Sequence, residues 1–192
     1  MHKSLFTAFA VSVALPLSAF AADSYTVDPP HTFPHFSINH LGFSTMQGRF
    51  DKTSGTITLD RAAKTGSVAI SIETASVSTG FAKRDDHLKS PDFFNAAEFP
   101  AIIYKSTAMH FKGDKPVSVD GNLTISGVTK PVAFKIDAFN CGLDPMDPKK
   151  IKQKCGADAH AQIKRSDFGV KFALPNVGDE VKLVLEIEAY KD

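Results

Sequence analysis

From Phe36 onward, apolar and polar residues alternate along most of the chain, the period-two signature of strands that bury one face and wet the other. Val68, Ile70 and Ile72 alternate with Ala69, Ser71 and Glu73. Val117, Val119, Leu123 and Ile125 fall on one face with Gly121, and Ser118, Asp120, Asn122 and Thr124 on the other. The next run turns Val132, Phe134, Ile136 and Ala138 inward and Lys135 and Asp137 outward. Ala159, Ala161 and Ile163 oppose His160, Gln162 and Lys164, and a final run sets Val181, Leu183, Leu185, Ile187 and Ala189 against Lys182, Glu186 and Glu188. Shorter runs at residues 36–40, 56–59 and 102–106 bring the total to about eight predicted strands.

Turn chemistry separates these runs. Ile125-Ser126-Gly127-Val128-Thr129-Lys130-Pro131 reads as a glycine-containing hairpin loop between strands of matching length. Residues 112–116 and 51–55 read likewise. Successive one-sided strands joined by short turns predict an all-β, antiparallel barrel or sandwich. One segment breaks the alternation. Phe81 to Ala97 fits one or two short helices, the second opened by Pro91 and capped by Ser90, forming an insert that caps one end of the sheet structure.

The N-terminus has a different character. Lys3 is followed by an apolar stretch through Leu15, then Pro16, then Ala19-Phe20-Ala21. A positive start, a short apolar core and a small-x-small site predict a cleaved secretory signal over residues 1–21. The run falls short of the roughly 20 apolar residues that a membrane span needs. Residues 22–192 then form one domain, with no second apolar run of spanning length and no permanent anchor expected.

Loss of Lys3 from the 22 basic residues leaves 21 against 21 acidic ones. That balance argues against a nucleic-acid partner and against electrostatic docking on anionic lipid. The aromatic residues are lopsided, with 16 Phe, 3 Tyr and no Trp, which suits dry interiors, whether a solid core or a cavity. The two cysteines, Cys141 and Cys155, are predicted to form a disulfide in an oxidising compartment, stapling a long irregular loop. A zinc site would need further ligands, and no other Cys or His lies between them.

Catalytic signatures are absent. The histidines are scattered, with no H-x-H or H-E-x-x-H pair, so neither a metal nor a cofactor is predicted. No G-x-S-x-G, phosphate loop or dinucleotide fingerprint occurs. Arg84-Asp85-Asp86-His87 is the densest polar cluster; it reads either as a solvated helix face or as a polar latch or acid/base site near a pocket.

Several local motifs occur together. Phe36-Ser37-Ile38-Asn39-His40-Leu41-Gly42 leads into Gly48-Arg49-Phe50, followed by the run Arg84 to Phe94 (R-D-D-H-L-K-S-P-D-F-F) and Phe99-Pro100. Gly121 to Val132 (G-N-L-T-I-S-G-V-T-K-P-V) and Arg165-Ser166-Asp167-Phe168-Gly169 complete the set. In combination they resemble the YceI family of bacterial periplasmic proteins. The resemblance implies a lipocalin-like, eight-stranded antiparallel barrel whose elongated interior holds a polyisoprenoid tail, in some members ubiquinone-like. It also implies a Gram-negative periplasm and often a homodimer, with no established catalytic residues.

The expected function is therefore that of a carrier for an isoprenoid lipid or isoprenoid quinone, not of an enzyme. Leu123, Ile125, Phe134, Ile136, Leu183 and Leu185 are expected to line the barrel interior. Phe36, Ile38 and Phe50, with Ile70, Ile72, Ile102 and Tyr104, extend that lining. His40, Arg84 and Tyr104 are candidate head-group contacts near the mouth. The alternative is a secreted stress-response protein or enzyme acting on a small apolar metabolite through the Arg84–His87 cluster.

Overall fold

The computed structural model describes residues 22–192, so the expected signal peptide lies outside the described residues. Eleven strand segments and one α-helix follow in order. β1 (Asp23–Val27), β2 (Phe33–His40), β3 (Ser44–Phe50), β4 (Thr53–Asp60), β5 (Thr65–Glu73) and β6 (Val77–Ser78) precede helix α1 (Ala82–Lys89). β7 (Ala101–Lys112), β8 (Lys115–Ile125), β9 (Val128–Leu143), β10 (Gln153–Lys164) and β11 (Val177–Lys191) follow it.

Eight of these close an antiparallel barrel in the order β1-β4-β5-β7-β8-β9-β10-β11, with β11 returning to β1. Closure removes the unpaired edges that an open sheet would leave. β11 is long enough to hold two partners. Its C-terminal end pairs with β1 (Val27 opposite Ala189), and its earlier part pairs with β2 (Leu183 opposite Phe36). Between β1 and β2 the chain kinks through a 3₁₀ turn at Pro29–His31. There the Thr32 hydroxyl accepts from the Glu188 N–H at 3.1 Å and donates to the Glu188 carbonyl at 3.2 Å, substituting for a strand neighbour. β2 continues into β3 and β6, and α1 with the turns through Pro100 lies between β6 and β7 along the chain.

The β8–β9 hairpin narrows to two residues. Ser126 (φ 47°) and Gly127 (φ 76°) both take positive φ, the requirement of the type I′ turn whose twist matches its strands. Phe99 packs over Gly127, where an added Cβ would lie 2.6 Å from its ring.

Three expectations need correction. Strict alternation places Val117 and Ala138 inward, yet both are exposed. Each sits at a bulge: the β7–β8 register jumps from Ser118 to Pro116, and the β9–β10 register jumps from Ala138 to Ile136. One extra residue inverts the facing of its neighbours further along the strand, so Pro116 and Phe139 take the inward positions. The second expected helix does not form. Residues 91–94 are turns, and Ser90 caps no second helix; its carbonyl accepts from the Phe93 and Asn95 N–H groups.

The third correction concerns the cysteines. They do not bracket a wholly irregular loop; they face each other across β9 and β10, Cα to Cα 4.1 Å apart and joined as a disulfide. Only residues 144–152 remain outside the strands, and Asp147 organises them by accepting the N–H groups of Lys149, Ile151 and Lys152. Serine at both cysteines is expected to lower stability by about 3 kcal/mol. Over a domain of this size that is a Tm drop of roughly 6–12 °C. A thermal melt unchanged within error would show that the loop's hydrogen bonds suffice alone.

Candidate functional site

The inward faces of the strands do not fill the barrel. They enclose a cavity of about 470 Å³ lined almost entirely by apolar side chains. Along β11 the lining runs from Val177 to Ala189. At about 3.3 Å per residue and a strand tilt near 40°, that is roughly 30 Å of barrel axis. The cavity is therefore long and narrow.

The thirteen side chains expected to line the pocket all face the cavity. Ile70, Ile72, Ile102, Leu123 and Ile125 form one wall, each less than a tenth exposed. Phe134 and Ile136 continue it on β9, and Phe36, Ile38, Phe50, Leu183 and Leu185 face them from β2, β3 and β11. Tyr104 is inside the wall and not at the mouth. Its hydroxyl is directed to the Val119 and Val132 carbonyls at 3.0 and 3.1 Å, and its ring stands edge-on to Phe134. Burial pushes its phenol pKa up, so the proton stays on and the anchor holds. This geometry requires a glycine beneath it, since a Cβ at Gly121 would lie 2.5 Å from the ring. Tyr104 is a structural strut, with its one hydroxyl proton directed into the backbone.

The two ends differ. At the end near the disulfide, Tyr25, Leu59 and Ala189 (5, 5 and 1% exposed) pack with Met109, Phe111 and Phe139 and close the barrel. At the opposite end the lining residues reach solvent: Phe172 is 44% exposed, and the His87 side chain 46%. The mouth is there. Leu88, Phe93 and Phe94 hang over it from the helical insert, with Phe94 edge-on to Phe50 at 5.5 Å.

The Arg84–His87 cluster comes apart in three dimensions. The Arg84 Nε and Nη2 donate to the Thr79 hydroxyl and carbonyl at 2.7 and 2.8 Å, and Asp85 accepts from the Thr79 N–H at 2.8 Å. Together they pin α1 to β6. Arg84 Nη1 meets only the Met46 sulfur, at 3.5 Å. Asp86 pairs outward with Lys89, and His87 pairs with Asp92 at 2.9 Å between the rings of Phe93 and Phe172. His40, at the end of β2, lies on the cavity wall at the same end. Of the three expected head-group contacts, His40 and Arg84 are at the mouth and Tyr104 is not.

Sequence reasoning missed Phe172, Val170 and Ala173, which lie in the irregular β10–β11 connection where no periodicity points to them. It also missed Thr53. This residue is 4% exposed and lines the cavity, with a hydroxyl that has no partner among the described residues.

One group of metal-type donors occurs among the described residues, at Asp28, His31 and Glu188. The Lys154 ammonium already sits between Asp28 and Glu188, and His31 bonds Asp28 at 2.8 Å. One of the two carboxylate charges there is thus balanced from within the chain. The site is thus a blind apolar barrel with a helical cap and an Arg-Ser-Asp-Phe-Gly turn at its mouth. The model of the YceI-like domain matches residues 25–189.

The chain belongs to the YceI family.

Protein YceI of Escherichia coli O157:H7 is 36% identical over 98% of this chain and 97% of its own. The crystal structure of BcnA from Burkholderia cenocepacia superposes with a TM-score of 0.69 at 26% identity, covering 84% of this chain and 98% of that one. A polyisoprenoid binding domain from Saccharophagus degradans shares the fold at a TM-score of 0.64 and 15% identity, over 88% of this chain and 98% of its own. Family membership and the cavity together point to a binding protein.

Proposed function

We propose that the protein is a periplasmic carrier that holds a polyisoprenoid or isoprenoid-quinone lipid with its tail in the barrel. The observation that carries this reading is the blind, apolar cavity open at the capped end. A branched hydrocarbon tail gains about 25 cal/mol for each Å² removed from water, and a dry tunnel provides that without directional contacts. The few polar groups near the mouth, His40 and the free edge of the Arg84 guanidinium, suffice to orient one head group. Thr53 offers one further unpartnered hydroxyl on the cavity wall. The signal-like residues 1–21 and the Cys141–Cys155 pair support an oxidising, exported setting.

The name of the Saccharophagus domain agrees with this ligand class, though that likeness speaks for the barrel alone. The enzyme alternative has less to work with, because Arg84 and Asp85 are engaged in anchoring the helix and Asp86 faces Lys89, leaving only the His87–Asp92 pair at the mouth.

The test is organic extraction and native mass spectrometry of protein exported by a Gram-negative host. The expected result is one isoprenoid per chain on a polypeptide beginning at Ala22. An empty barrel that also fails to take up added isoprenoid would overturn the proposal, and an unprocessed N-terminus would overturn the localisation.

A further inference from the structure

Beyond the cavity, the rim of its mouth carries exposed apolar side chains that serve no core. Phe43 is 89% exposed, Phe81 56%, Leu41 47% and Phe172 44%. They come from three separate segments that the fold brings around one opening. The Leu41 N–H donates to the Asn176 carbonyl at 3.0 Å, joining the β2–β3 turn to the β10–β11 connection. That connection reaches α1 through Phe172, whose ring is 5.2 Å from that of His87. Phe81 precedes α1, and Arg84 on α1 returns to the β2–β3 hairpin through Met46. The contacts make a closed circuit. The turn that carries Phe43 holds positive φ at both Leu41 (57°) and Gly42 (76°), an unfavourable geometry for leucine, and the Asn39 side chain braces it by accepting the Gly42 N–H.

Exposed apolar groups gathered around a binding site mark an interaction surface. The charges at this rim are uneven. Asp85 is bonded to Thr79, Asp86 to Lys89 and Asp92 to His87. Lys83 and Lys171, two residues from Phe81 and one from Phe172, are exposed and have no ion-pair partner among the described residues. Aromatic rings with neighbouring free ammonium groups fit the interface of a phospholipid bilayer, rings at the acyl boundary and cations at the phosphates.

We infer that the mouth rim is a bilayer-docking surface, with Phe43, Leu41, Phe81 and Phe172 inserting so that a lipid passes between membrane and cavity without crossing water. The inference rests on the carrier reading for its purpose but not for its measurement. The chain has no tryptophan, so a single Trp reports its own surroundings. Phe43→Trp should shift its emission to shorter wavelength on addition of phosphatidylethanolamine–phosphatidylglycerol vesicles, and brominated acyl chains should quench it. Met146→Trp, 85% exposed at the closed end, should do neither. Serine at both Leu41 and Phe43 should slow isoprenoid transfer to acceptor vesicles by about tenfold or more. The amount retained after equilibration should not change.

An unshifted Phe43→Trp, or an equal shift at Met146→Trp, would overturn the inference while leaving the carrier reading intact. A shift that grows with protein concentration in the absence of vesicles would assign the rim to a second copy of this chain and overturn it as well. Insertion of Phe43→Trp by a protein that neither holds nor takes up isoprenoid would uphold the docking surface and sink the carrier.

Discussion

Aspartate at Phe134 is expected to abolish lipid retention, while aspartate at the next residue, Lys135, leaves it unchanged. Phe134 is 6% exposed and lines the cavity, its ring edge-on to Tyr104 at 5.1 Å. A carboxylate there would face hydrocarbon on the ligand side. Burying it without a partner costs several kcal/mol, more than a tail contact returns at that point. Phe134→Ala separates packing from charge. In a closed core that truncation costs about 3–5 kcal/mol; beside an existing cavity it should fall at or below the low end. Lys135 is on the wet face of β9, and a change of charge there meets only water. Bound isoprenoid and Tm, measured together, check the series. Full lipid occupancy in a folded Phe134→Asp protein would show that this wall does not hold the tail.

That prediction rests on period-two reasoning, and β9 shows why such reasoning worked where it did. A strand between a dry interior and water has no choice of face, so Val132, Phe134 and Ile136 announce themselves by alternating with charged or small residues. The same logic fails wherever a strand lacks a one-sided environment or an even register. β3, S-T-M-Q-G-R-F, is mostly exposed and carries little alternation, and β1 closes the barrel with only five residues. At Val117 and Ala138 a bulge inserts one residue, and the hydrophobic pattern itself gives no sign of it. The thirteen expected wall residues were legible because each belongs to a regular strand. The loop side of the mouth was not, because Phe172, Val170 and Ala173 occupy a connection whose shape depends on hydrogen bonds to one buried side chain at its start. Tyr104 was misplaced for a related reason. Its alternation marked it as inward, but only Gly121 on the neighbouring strand explains why its hydroxyl turns into the wall.

The side chain that shapes the mouth is Arg165, and its removal is expected to have the largest effect on stability of any single polar change. Arg165 is 6% exposed. Its Nε donates to the Gly178 carbonyl at 2.8 Å, Nη1 to those of Val170 and Phe172 at 3.1 and 2.9 Å, and Nη2 to that of Val177 at 2.9 Å. One guanidinium thus satisfies four carbonyls, two in the β10–β11 connection and two at the start of β11. Burial pulls the Arg165 pKa down while Asp179 opposes that pull, so the buried cation stays charged. Asp179 is itself fixed by the Ser166 hydroxyl and N–H at 2.7 and 2.9 Å, which hold its carboxyl below the usual carboxylate range. A depressed carboxylate contributes stability above its unfolded value and loses it as pH falls through the folded one, so acid should loosen this mouth. The Arg-Ser-Asp-Phe-Gly motif therefore has a structural reading: Arg165 and Ser166 tie the loop, Phe168 (2% exposed) fills the space beneath, and Gly169 makes the left-handed turn at φ 82°. Arg165→Ala leaves buried acceptors without donors and should cost about 3–5 kcal/mol, a Tm drop of roughly 6–20 °C. Arg165→Lys should recover little, because a point charge cannot reproduce a planar fork reaching four acceptors. Phe172 would lose its fixed position over the opening, so bound lipid should dissociate faster even where the barrel survives. Melting curves of the two variants, with lipid loss followed at a temperature where both stay folded, check the prediction. A melt of Arg165→Ala within a degree or two of the parent would mean that the loop holds its shape without the guanidinium.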